Sequence, residues 1–229
     1  MRHHSLSAYY SLSSRRAAYG ALDATTQSVI SAFVSNIGGS ARFNILTTYS
    51  DAAGAVTNAA SLGASWVAVA NPTTSVAESA ISAAVSATIV SGALPVDASG
   101  LYLVVLARNT VIPAGCCASY CGWHDHMAYG AVTLKFGVIC NPGYCDAHGS
   151  AGACGMSAGT SPNAPTDSTA STYAGAREGD AMVSVIAHEL EEAVTDPLGN
   201  AWYDSAGSEC GDKWCVRVWL WQRYVARAQ

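Results

Sequence analysis

Asp180-Ala181-Met182-Val183-Ser184-Val185-Ile186-Ala187-His188-Glu189-Leu190-Glu191-Glu192-Ala193-Val194-Thr195-Asp196-Pro197 is the stretch that sets the fold class. Its apolar residues fall at helical spacing, and Asp180 to Thr195 is the best helix in the chain. Glu178 and Asp180 at its start complement the helix dipole, while Asp196-Pro197 with Gly199 just beyond ends it.

This helix also carries the densest chemistry. His188 and Glu192 stand four residues apart, so they share one helix face one turn apart. The spacing is that of the zincin motif His-Glu-x-x-His, with Glu192 in place of the second histidine. A carboxylate is an acceptable zinc ligand, and a histidine with two carboxylates also suits iron or manganese. Glu189 is then the candidate catalytic base beside the first ligand. A third ligand must come from downstream, where Asp204, Glu209 and Asp212 are the candidates, with Glu209 and Asp212 preferred. The competing reading makes His188 an ordinary helix-face histidine and the glutamates a solvated stripe. Against it, a polar cluster inside so apolar a helix costs burial free energy unless it finds partners.

Working outward, Ala24 to Ile37 and Ser75 to Val90 also show helical spacing, closed by Gly38-Gly39 and by Gly92 with Pro95. Phe43 to Tyr49 and Trp66 to Ala70 read as strands, Leu101 to Ala107 as a central buried strand, and Ala131 to Val138 as an edge or half-exposed strand. The order predicts an α/β protein, with α+β the alternative: one layered domain over residues 1–214 built on a mixed sheet, and an atypical tail over 215–229. Residues 113–178 are rich in loops and cysteine, and Ser157 to Gly175 reads as a mobile surface loop. Within this region Cys121-Gly122-Trp123-His124-Asp125-His126 reads as a disulfide-anchored loop with surface histidines. Metal binding by its two histidines, which a strand would place on one face, is the second reading. His148 is a lone loop histidine.

Half of the 229 residues are hydrophobic and 12% are charged, and the formal net charge is −5. The 11 Lys and Arg are scattered, which argues against a nucleic-acid partner. No apolar run reaches the about 18 residues that a membrane span needs. Neither a phosphate-binding Gly-rich loop nor a Gly-x-Ser-x-Gly elbow is present. All eight cysteines fall between Cys116 and Cys215, and this even number in a loop-rich setting argues for disulfides and an oxidising compartment. Cys117 with Cys121 or Cys116, and Cys140 with Cys145, are the local pairing candidates. The polar start Met1-Arg2-His3-His4 lacks a secretory leader's apolar stretch, so the expectation is a chain truncated at its N-terminus.

The helix, continued by Pro197-Leu198 and Asn200-Ala201-Trp202-Tyr203, resembles the signature of the Exordium-like, phosphate-induced family of secreted plant-type proteins. Pro95-Val96-Asp97 with Gly100 to Val104, the Cys-Gly-x-His element at Cys121-Gly122 and His124, and the pair Cys140 and Cys145 are similar to further family elements. The resemblance runs over residues 9–214, lacks the family's leader and first strand, and leaves Cys215 to Trp221 unmatched. It implies an extracellular protein of the apoplast or cell wall, tied to growth or cell expansion, whose partner is an extracellular protein or a cell-wall component. The alternative is a metal-dependent, metallopeptidase-like hydrolase using His188, Glu189 and Glu192, with zinc or another divalent metal as cofactor.

Overall fold

A computed structural model describes residues 6–10, 22–51, 54–66, 75–113, 115–148, 150, 154 and 174–212. The apolar run after Asp97 forms strand β5 (Gly100–Val105), buried along its whole length. To keep β5 dry the chain must cover both faces and both edges of it. Strands β1 (Leu6–Tyr10) and β7 (Val132–Ile139) flank it in parallel. Beyond them lie β4 (Ala60–Ser65), parallel to β1, and β6 (Gly122–Tyr129), antiparallel to β7. The order β4-β1-β5-β7-β6 makes the sheet mixed, and the protein is α/β as expected. A two-stranded ribbon of β2 (Ser50–Asp51) and β3 (Gly54–Ala55) lies apart from it.

Side chains alternate across a strand, so β5 feeds two cores. Leu101, Leu103 and Val105 pack with helices α1 (Ala24–Asn36) and α4 (Ala174–Thr195), the latter preceded by the short α3 (Pro142–Ala147), through Ile30, Val34, Met182, Ile186 and Leu190. Tyr102 and Val104 pack on the other face with Leu134, Phe136 and Val138 under helix α2 (Ser79–Val90), which contributes Ile81, Val85 and Ile89. Asp23 starts α1 by accepting the amide protons of Thr25 and Thr26. Burying one such leucine or isoleucine stabilises the fold by roughly 1.5–3 kcal/mol, and the apolar face of α4 supplies several. Among the described residues no helix is long and apolar enough to cross a membrane.

Three local expectations are corrected. Phe43–Thr48 is a 3-10 helix rather than a strand, with Phe43 and Leu46 inward, three apart as that helix requires. The strand at 132–139 is interior rather than edge, because residues 122–129 pair along its outer side. Those residues therefore form β6 and not a loop, joined to β7 by a two-residue turn in which Gly130 takes φ +58°. The strand expected from Trp66 to Ala70, the loop Ser157 to Gly175 and the tail 215–229 fall wholly or largely outside the described residues.

All four cysteines singled out from spacing lie in disulfides, but the local pairings are wrong. The bonds are Cys116–Cys140, Cys117–Cys145 and Cys121–Cys154, spanning 24, 28 and 33 residues. The turn at residues 115–121 lies alongside the segment that follows β7, and the Cys140 amide donates to the Cys121 carbonyl. The facing segment thus supplies partners that sequence proximity does not. Loops of this length make each bond worth about 3–4 kcal/mol in the chain-entropy account. Cys210 is buried and unbridged among the described residues, its sulfur 3.1 Å from the Thr195 hydroxyl.

Candidate metal centre

The polar cluster of α4 is not solvated. Glu178, Glu189, Glu191 and Glu192 are all buried, with residual exposures of 4, 3, 4 and 5%. The stripe reading of the sequence is therefore overturned, and each carboxylate needs a partner. Glu191 accepts from Arg42 Nε at 2.6 Å, and Glu178 accepts from Arg108 Nε at 3.0 Å and from the Asn141 amide. Burial still pushes both carboxyls above their ordinary range, with the arginines pulling the other way.

Glu189 and Glu192 meet histidines instead. His188 Nε2 lies 3.1 Å from Glu192 Oε1 and 3.6 Å from Asp212 Oδ1. The Asp212 amide donates to the same Oε1 at 3.2 Å and so fixes the carboxylate. Gly211 allows this approach, since a Cβ there would stand 2.8 Å from Glu192 Oε1. Three of the expected ligands, His188, Glu192 and Asp212, hold their donor atoms within 4.8 Å of one another and could hold a metal ion.

The second histidine of the centre comes from β6 and is one the sequence left as a surface residue. His124 is 8% exposed, with Nδ1 3.6 Å from Glu189 Oε2 and 3.7 Å from Glu192 Oε2. These three residues form a further group able to hold a metal ion. On its other side His124 Nε2 lies 3.1 Å from the Asp196 carbonyl and 3.9 Å from Glu209 Oε1. The helix reaches β6 this closely because of Gly122, where a Cβ would stand 2.6 Å from Glu189 Oε1 and 2.7 Å from Val185 Cγ1. A glycine two residues before a histidine was the available signal in the sequence, but without the pairing to β7 it could not be placed on a strand.

Of the remaining sequence candidates, Glu209 faces His124 and its amide donates to Asp212 Oδ2. Asp204 lies outside both groups and accepts the amides of Ala206 and Ser208 in a turn. His126 shares the face of His124 but is exposed beside Asp125, and His148 stacks on Tyr144. The electrostatics follow the crowding. Burial would depress the His124 pKa, yet the Glu189 carboxylate, the Asp196 carbonyl and Glu209 together raise it to about 9. Burial, then Glu192, raises Glu209 to about 8, and burial above all raises Glu189. Glu189 Oε2 is a buried atom with no hydrogen-bond partner. The donor set of imidazoles and carboxylates suits zinc, iron or manganese.

The family model of the phosphate-induced protein 1 conserved region matches residues 15–219. No curated protein and no solved structure matches the chain. The family match takes in α1 through residues 210–212 and every residue of the two histidine groups, and on it the chain belongs to the Exordium-like, phosphate-induced protein 1 family.

Proposed function

We propose that this is an extracellular Exordium-like protein, serving growth or cell expansion, whose α4 helix holds zinc or another divalent metal. Family membership and three disulfides support the extracellular placement. Its partner is then an extracellular protein or a cell-wall component, and residues 1–214 act as one Exordium-like domain. The observation that carries the metal reading is the pairing of the buried glutamates. Among the described residues Glu178 and Glu191 have arginines within 4 Å, whereas Glu189 and Glu192 have only histidines. A bound cation supplies the missing positive charge without requiring both imidazoles to be protonated. In this reading His188, Glu192 and Asp212 are the ligands, and Glu209 steadies the loop that delivers Asp212 through its hydrogen bond.

Metal-dependent hydrolysis is the second reading, favoured by Glu189. Its buried carboxylate, with one oxygen free of hydrogen bonds and a raised pKa, has the character of a general base. A divalent metal in such a site would supply Lewis acidity. Thermal melts with and without chelator test the metal reading itself. Chelation should lower the melting temperature and added zinc restore it, by an amount worth about 3–4 kcal/mol at zinc concentrations 100 to 1,000 times Kd. Identical melts under all conditions would refute metal binding.

A further inference from the structure

Resting on that reading, we propose that the centre takes two divalent cations: a second position formed by His124, Glu189 and Glu192, with Glu192 shared between it and the His188 position. Three observations carry this. The first is the orientation of His124. Its Nε2 faces the Asp196 carbonyl at 3.1 Å, a partner that can only accept, so Nε2 carries a proton and Nδ1 is the nitrogen left for coordination. This is how ligating histidines are usually held, with the second nitrogen bonded to a carbonyl or carboxylate behind it.

The second observation is distance. From His124 Nδ1 the carboxylate oxygens of Glu189 and Glu192 are 3.6 and 3.7 Å away, and neither is a hydrogen-bond length. Two donors on one tetrahedral zinc, each bonded at about 2.0–2.2 Å, lie about 3.3–3.6 Å apart. At His188 the distance to Asp212, 3.6 Å, repeats this spacing, while Glu192 Oε1 lies at hydrogen-bond distance, 3.1 Å. Glu192 turns Oε1 toward His188 and Oε2 toward His124, one oxygen for each position. A carboxylate shared in this way is how paired metal sites are commonly bridged.

The third observation is Glu189 Oε2, a buried atom that lies 3.6 Å from His124 Nδ1 and has no donor within hydrogen-bond distance. A cation at that point accounts for the atom, which a single ion at His188 does not. Glu189 thereby becomes a ligand rather than a base, which sets this proposal apart from the hydrolase reading.

The test is the number of zinc ions bound per chain, counted after the full chain is stripped with chelator, dialysed against zinc(II) and analysed by mass spectrometry. Two ions are expected for the natural sequence and one for His124→Gln, whose amide can still donate to the Asp196 carbonyl. One is expected for His188→Ala, and none held tightly for Glu192→Ala. Cobalt(II) in place of zinc gives an independent count from its visible absorption. A natural chain that binds one ion, with His124→Gln also binding one, overturns the second position and leaves the first intact. No ion on the natural chain refutes the metal reading on which this rests. Should the variants fail to fold, the natural chain's count of two against one still decides.

Discussion

Two pairs of glutamates on one helix meet the same problem in different ways. Glu178 and Glu191 are buried against Arg108 and Arg42, residues that are charged at any accessible pH. Glu189 and Glu192 are buried against His124 and His188, whose charge depends on pH and whose neutral form is a ligand. The first arrangement can only hold structure together. The second could accept a cation, and that contrast, more than the presence of glutamates, marks the candidate site. The opposite face of the sheet supplies the control. Under α2 the core is apolar, and its anchors are the disulfides of Cys116, Cys117 and Cys140.

The arginine pairs should not respond to metal. Replacing Arg42 by Met strands the buried Glu191 carboxylate, and the cost, reduced by the partial exposure of Arg42, should be about 1–3 kcal/mol in urea unfolding. The same loss is expected with and without zinc. A loss that vanishes when zinc is added would mean that the two pairs are not independent.

A smaller effect concerns pH and has opposite signs in the two states. In metal-free protein the His124 pKa stands at about 9, above its unfolded value, so its contribution is complete below about 6.5 and is lost as pH rises through 9. Glu209, raised to about 8, acts in the same direction as pH climbs from its ordinary range. Metal-free stability should therefore fall between pH 6 and 9, while the extra stability conferred by zinc should grow as the imidazoles lose protons. Melts recorded across that range on chelated and zinc-loaded protein check both signs; parallel curves would contradict the assignment.

Much of this was legible in the sequence where one periodicity dominated. Helices α1, α2 and α4 and strand β5 follow from apolar spacing, and His188 with Glu192 follows from the four-residue repeat of a helix. What escaped depends on contacts between distant segments. Strand β6 has a polar sequence, Trp123-His124-Asp125-His126, and becomes a strand only because β7 offers it a complete ladder. His124 is buried only because α4 crosses at Gly122. Phe43 to Tyr49 was misleading for the converse reason: its β-prone residues suit a strand, but Phe43 and Leu46 find the core from a 3-10 turn. The cysteine pairings were hidden likewise, since they join the 115–121 turn to the segment beyond β7.

A zinc-edge anomalous difference map from crystals of the zinc-loaded protein locates any ion held by the two histidine groups. Peaks are expected in contact with Glu192, one on the side of His188 and Asp212 and one on the side of His124 and Glu189, and none beside Glu178 or Glu191. A map without signal at Glu192, with His124 bonded only to protein or water, would contradict the metal reading.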